Sequence, residues 1–194
     1  MTSHLIESFA NRASEWENVG KNSAEDLEVA RKASRLNHPD DCAFCNIISR
    51  KQRAFLIFED DHTIAILDIL PIRRGHVLVI PKEHISRLSE LPEEVAGRLG
   101  QTVTKVAGAI TRALDNTALN VVCNQEYAQA VPHVHYHIVP APSESSNKLT
   151  SKAQDETPEK GPSYQSMLKA ELLLRNELDD EDGQRLADLI RAKL

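Results

Sequence analysis

Three histidines alternate with apolar residues in Pro132-His133-Val134-His135-Tyr136-His137-Ile138-Val139-Pro140. Side chains alternate faces along an extended chain, so the three imidazoles share one face and Val134, Tyr136 and Ile138 cover the other. An imidazole brings nitrogens that need partners and a charge that changes near neutral pH, an unusual use of positions where β-branched and aromatic residues normally pack. Three uses compete for this face. One is a core strand whose histidines are satisfied. A second is a metal site of three protein ligands with an open position for water. The third is nucleophilic catalysis, in which the middle imidazole attacks and its neighbours orient it or handle protons.

Further chemistry-bearing residues lie upstream. Cys42-Ala43-Phe44-Cys45 has the bite of a zinc ligand pair, although the same spacing serves redox dithiols and arises in short helices. Asp68 and His76 stand at strand ends, where a lone acid often caps a turn and the plain alternative for a histidine is to face solvent. Cys123, on an apolar run, reads as a small buried side chain.

These residues need rigid elements. Residues 55–59 and 63–68 read as strands around the Asp60-Asp61-His62 turn, and residues 76–80 as a third strand closed by Pro81. Pro92 followed by Glu93 and Glu94 opens a long helix with the apolar stripe Val95, Leu99, Val103, Val106, Ile110 and Leu114. Residues 119–123 and 133–139 complete five strands, and residues 42–48 form a helical turn. The pattern predicts an α+β fold: a five-stranded, mostly antiparallel sheet with one long and one short helix, plus helical terminal extensions. The expected organisation is an N-terminal extension over 1–41, a central domain over 42–142, a flexible linker over 143–162 and a C-terminal extension over 163–194. Leu5, Ile6, Phe9, Ala13 and Trp16 suit one amphipathic helix of the first extension, and Leu27, Ala30 and Ala33 a second. In the last, Tyr164, Met167, Leu168, Leu172 and Arg175 suit one helical face. Asp179-Asp180-Glu181-Asp182-Gly183 interrupts, and Leu186, Leu189, Ile190 and Leu194 resume. The acidic run lacks the ligand alternation of a calcium loop and reads as a solvated charge run.

Composition narrows the function. The 194 residues carry a formal charge of −6, shared unequally: 8 acidic and 5 basic side chains over 1–41, 11 and 8 over 143–194, and 10 of each between. With the centre balanced in charge, a nucleic-acid partner relying on phosphate contacts is not expected and a small substrate is. Three cysteines do not make a disulfide framework. The chain lacks a membrane-length apolar run and a signal-like N-terminus, so a soluble protein of the cytoplasm, or also of the nucleus, is expected.

The run from Asn124 through Gln129, Val131, His133, His135 and His137 resembles the Gln-x-Val-x-His-x-His-x-His signature of the histidine triad superfamily of nucleotide-binding hydrolases and transferases. Gly75-His76-Val77-Leu78-Val79-Ile80-Pro81-Lys82-Glu83-His84-Ile85 resembles a second block of that family, in the right order, so the likeness covers residues 42–140. It implies a five-stranded sheet with helices on one face, paired with a second copy across a two-fold axis into a homodimer. It implies that His135 is the nucleophile toward the α-phosphorus of a nucleoside 5′-phosphate derivative, with His137 and His76 contacting phosphate oxygens and the leaving group. Asp68 would accept the ribose hydroxyls, Phe44, Ile47 and Ile69 would line the purine pocket, and Asn124 and Gln129 would serve the phosphate loop. A structural Zn²⁺ would sit on Cys42, Cys45, His84 and His133.

The chain departs from the family pattern where Ala128 stands for the usual Gly and Ala130 for a small hydroxyl residue; the loop after Asn124 is also shorter than in many relatives. The zinc ligands and the Pro-Lys-Glu-His-Ile block resemble the branch acting on adenosine 5′-phosphoramidate and related purine nucleoside phosphoramidates. Dinucleoside polyphosphate hydrolysis is the enzymatic alternative. A nucleotide-sensing scaffold, recruiting a protein partner through the acidic terminal extensions, is the non-enzymatic one.

Overall fold

The computed structural model describes residues 39–126, 128–142 and 175–194. The helices expected from Leu5 to Ala33, the linker over 143–162, and Tyr164, Met167, Leu168 and Leu172 lie outside the described residues. Five strands form one sheet: β1 (Leu56–Glu59), β2 (Thr63–Leu67), β3 (Val77–Pro81), β4 (Leu119–Cys123) and β5 (Tyr136–Pro140). Their order is β1-β2-β3-β5-β4, and each neighbouring pair is antiparallel. Three α-helices accompany it: α1 (Ala43–Ile48), α2 (Glu93–Leu114) and α3 (Asp180–Arg191).

Every position of β2 and β3 is buried, which explains their continuous apolar sequences. Ala65, Leu67, Val77 and Val79 join Leu99, Val106 and Ile110 of α2 in the main core. Ile64, Ile66, Leu78 and Ile80 pack with Phe44 of α1 and Cys42 on the opposite face. The expectation of helices on one face therefore needs correction: α2 and α3 cover one side and the short α1 the other. The Asp60 turn forms as expected, with Asp60 Oδ1 accepting from the His62 and Thr63 amides at 2.8 and 2.7 Å.

Residues 133–139 do not form a full strand, because the ladder of β5 begins only at Tyr136. The amides before it bond elsewhere: His133 N–H to the Val131 carbonyl at 2.8 Å and Val134 N–H to the Ile85 carbonyl at 2.7 Å. Alternation of faces survives this break. Val134, Tyr136 and Ile138 pack in the core, whereas His135 lies against Phe44 and His137.

Helix α2 follows Pro92, which occupies the N-cap, and buries Leu99, Thr102, Val106, Ala109 and Ile110. The acidic run at 179–183 starts a helix rather than interrupting one. Asp179 is the N-cap of α3, accepting from the Glu181 and Asp182 amides at 3.0 and 3.2 Å, and the following acids sit at the positive end of the helix dipole. Leu186, Ala187 and Ile190 of α3 enter the core shared with α2 and the sheet. Burying a leucine or isoleucine stabilises by roughly 1.5–3 kcal/mol, so this helix is part of the domain's stability. Gly183 allows the close approach, since a Cβ there would stand 2.6 Å from the Phe55 ring. Among the described residues no helix is long and apolar enough to cross a membrane.

Candidate functional site

Two clusters of side chains meet on the α1 side of the sheet, joined by the histidine run. The first holds His135, His137, His76 and Asp68. Asp68 follows β2, and the loop to β3 closes through Gly75, whose φ of +87° suits glycine and whose Cβ would lie 2.5 Å from Leu114 Cδ1. That turn delivers His76 fully buried beside β5.

Hydrogen bonds assign the ring tautomers. The Ile72 amide donates to His76 Nδ1 at 3.2 Å, so the proton of neutral His76 sits on Nε2, which lies 2.9 Å from His137 Nδ1. His137 accepts there and carries its own proton on Nε2. His135 Nδ1 lies 2.7 Å from the His133 carbonyl, which can only accept, so Nδ1 holds the proton and Nε2 keeps its lone pair. Burial keeps all three rings neutral. It pushes His76 down to about 2 and His137 to about 3, with neighbouring rings and the Arg175 guanidinium adding to both. Burial lowers His135 as well, against a partial opposing effect of the His133 carbonyl.

Asp68 Oδ2 stands 3.3 Å from His76 Nδ1, and its Oδ1 accepts from the Leu70 amide at 2.9 Å. Burial pushes its carboxyl up to about 6, with the Leu70 amide and the Arg175 guanidinium pulling it back. A carboxyl raised in the folded state favours folding while protonated, so this contribution is full below pH 3.8 and is lost as pH rises through about 6. At 1.36 kcal/mol per unit the loss amounts to about 3 kcal/mol at most. Denaturant melts of the ligand-free protein from pH 4.5 to 7.5 should therefore show Asp68→Asn gaining on wild type as pH rises. A constant difference between the two proteins would contradict this electrostatic reading.

The second cluster is Cys42, Cys45, His84 and His133, whose ligand atoms gather within 4.8 Å of one another. His133 Nε2 lies 2.8 Å from the Pro81 carbonyl and so carries the ring proton, which leaves the Nδ1 lone pair facing Cys42 Sγ at 3.5 Å and Cys45 Sγ at 3.7 Å. His84 Nδ1 is 3.2 Å from Cys45 Sγ. Zinc holding sulfur at about 2.3 Å and nitrogen at about 2.0–2.1 Å tetrahedrally separates the two by about 3.5 Å. The donor set and its spacing fit Zn²⁺. Burial, followed by Cys42, pushes the Cys45 thiol up to about 12; a cation in the cluster would favour the thiolate instead.

Asp68, His76 and His137 also lie close enough to hold a metal. Both His76 nitrogens and His137 Nδ1 are already engaged in the relay from Ile72, and the Arg175 charge acts on the group, which disfavours a cation there.

The other expected site residues are distributed around these clusters. The Phe44 ring centroid stands 5.0 Å from that of His135, edge on, and Ile47 packs beside Phe44. Ile69 is half-buried next to Asp68. Asn124 donates to the Ala128 carbonyl at 3.3 Å, inside its own loop. Gln129 does not present a free side chain: its Oε1 accepts from the Glu126 amide at 2.8 Å and its Nε2 donates to the Ser86 carbonyl at 2.9 Å. Gln129 braces the loop, and Ala128 beside it has φ +56°, the left-handed conformation for which glycine is the unstrained choice. The spacing predicts Arg175 on a helical face, whereas it lies in the irregular stretch before α3 and belongs electrostatically to the Asp68 and His137 cluster. Nothing local in the sequence marks it.

The HIT domain family profile matches residues 49–144. The chain is 38% identical to Protein hit of Bacillus subtilis over 103 residues, 52% of this chain and 71% of that one. The chain belongs to the histidine triad family. It is also 38% identical to the adenosine 5′-monophosphoramidase hnt1 of Schizosaccharomyces pombe over 105 residues, 53% of this chain and 76% of that one. Among solved structures, a zinc-bound histidine triad protein of Mycobacterium smegmatis superimposes with a TM-score of 0.59 at 28% identity, covering 80% of this chain and 94% of its own.

Proposed function

We propose that this histidine triad protein hydrolyses purine nucleoside 5′-phosphoramidates through a nucleotidyl-histidine intermediate on His135. The observation that carries this reading is the 2.7 Å contact between His135 Nδ1 and the His133 carbonyl, which leaves Nε2 unprotonated and pointing away from that carbonyl. Likeness to a relative named an adenosine 5′-monophosphoramidase supports the substrate class.

The reaction divides into two displacements. His135 Nε2 attacks the α-phosphorus, the phosphorus–nitrogen bond to the leaving amine breaks, and that nitrogen takes a proton from His137 Nε2. His76 Nε2–H stays hydrogen-bonded to His137 Nδ1, 2.9 Å away, and steadies the negative charge left on that ring, which the imidazolium formed at His135 balances. Water then attacks phosphorus, releases His135 and leaves the nucleoside monophosphate, while the proton returns to His137. Asp68 accepts from the ribose hydroxyls, and Phe44, Ile47 and Ile69 form the apolar side of the base site. Asn124 and the loop amides near Ala130 face the phosphate, with Gln129 holding that loop in shape. Cys42, Cys45, His84 and His133 would hold Zn²⁺ in a closed shell, whose role is to fix His133 and hence the carbonyl that orients His135. A homodimer is part of the proposal: β4 pairs only with β5 among the described residues, and Val121 and Val122 are 43% and 38% exposed on it.

The test is hydrolysis of a fluorogenic adenosine 5′-phosphoramidate with an acid-quenched adduct mapped by mass spectrometry. An adenylyl group on His135 supports the reading. Turnover of diadenosine polyphosphate alone would favour the dinucleoside polyphosphate alternative, and binding without turnover would favour the scaffold.

A further inference from the structure

Arg175 reaches the triad from the far end of the chain. The segment that carries it is tied to the site in two ways. The Leu178 amide donates to the carbonyl of Ile69, the residue after Asp68, at 2.9 Å, and the Leu178 side chain packs on the main core. Immediately beyond, Asp179 caps α3, whose Leu186 and Ile190 are fully buried. This anchoring fixes the chain against the Asp68–Leu70 turn, and the Nε of Arg175 is shielded from solvent there. Its charge acts on three members of the site, Asp68, His76 and His137.

The charge balance of the site gives this placement a consequence. The Ile72 amide bonded to His76 Nδ1 and the His76 Nε2 contact to His137 Nδ1 leave each of these two rings a single proton, so they offer a bound phosphate hydrogen bonds but no full positive charge. A guanidinium stays protonated at any physiological pH and suits phosphate geometry. An arginine held beside a ribose-binding carboxylate and a phosphate-facing histidine can accompany both parts of a nucleoside monophosphate.

We propose that Arg175 is a phosphate-binding residue of the nucleotide site, supplied by the C-terminal segment of the same chain. The proposal rests on the nucleotide reading above. It assigns the segment from Arg175 to Asp179 a direct part in substrate recognition, so the site is incomplete without the end of the chain. Anionic ligands gain from it and an uncharged nucleoside does not.

The experiment compares binding of AMP and of adenosine by calorimetry in wild type, Arg175→Ala and Arg175→Lys, using full-length, zinc-loaded protein. Arg175→Ala should weaken AMP by about 10–100-fold, the range expected for one charge-assisted contact of roughly 1.5–3 kcal/mol, and leave adenosine within about two-fold. Arg175→Lys should recover part of the loss. Raising salt should narrow the wild-type preference for AMP over adenosine more than that of Arg175→Ala. Equal weakening of both ligands would assign Arg175 a merely structural role and overturn the proposal. Tighter binding of AMP in the alanine variant would also overturn it, and would identify the segment as a plug over the ribose site. Unchanged AMP affinity in a variant of an enzyme that still hydrolyses the phosphoramidate would reject Arg175 alone. Failure of wild type to bind AMP at all would reject the nucleotide reading together with it.

Discussion

His135→Gln is expected to lower phosphoramidate turnover by about 10⁴-fold or more, as when other enzymes lose a nucleophile, while AMP still binds within a few-fold of wild type. Position 135 is 3% exposed and enclosed by Phe44 and His137, so an isosteric amide keeps the packing that alanine would hollow out. The glutamine nitrogen can still donate to the His133 carbonyl, but its amide lacks a lone pair of comparable nucleophilicity. Chemistry should therefore disappear with the fold, zinc content and ligand site intact. The quenched reaction should yield no phosphorus–nitrogen adduct. A His137→Gln variant separates the roles: it should slow departure of a poor amine much more than that of an acidic phenol, because the latter needs no proton. Retention of full activity in His135→Gln, or an adduct mapped to His137, would falsify the assigned nucleophile.

Loss of the proposed zinc is expected to be the second large effect. Cys42→Ser is expected to lose stoichiometric metal and about 3–5 kcal/mol of stability, seen as a drop in melting temperature of roughly 10–15 °C. Zinc-finger peptides derive all their folding free energy from the metal, whereas this domain has a core on each face of its sheet, and so the dependence should be partial. Without the cation, the Cys45 thiol returns to a state held near 12 by burial, and His133 Nδ1 faces two thiols without a metal between them. Chelation of wild type should reproduce the destabilisation. Activity should fall only as far as His133 loosens, because its carbonyl positions His135. A catalytic metal predicts the reverse, with activity lost upon chelation at unchanged melting temperature and restored with altered rates by cobalt or manganese. That result would return the histidines to the metal-hydrolase reading.

Much of this architecture could be read before any coordinates. The apolar runs of β2 and β3, the Asp60 turn and the stripe of α2 are set by local pattern and emerge within a residue or two of expectation. The strand at 133–139 was overread because its alternation is genuine while its backbone partners are not: Val134 bonds to Ile85 rather than to a neighbouring strand. The acidic run at 179–183 was misread for a different reason. Charge marks both a solvated break and a helix start, and the Asp179 cap, Gly183 against Phe55 and the burial of Leu186 and Ile190 together select the second.

Residue type and spacing alone determined the chemistry on offer: three imidazoles at period two, a Cys-x-x-Cys pair, and a histidine and an aspartate at strand ends. Tertiary structure decided how those groups are apportioned. The direction in which each histidine donates depends on carbonyls and amides distant in sequence, at Pro81 for His133 and at Ile72 for the pair His76 and His137. The arrival of Arg175 beside Asp68 depends on packing of a helix at the opposite end of the chain. Local pattern encodes which side chains share a face, since that follows from backbone geometry; which proton sits on which nitrogen, and which charge stands nearby, follows from contacts that exist only once the chain has closed on itself.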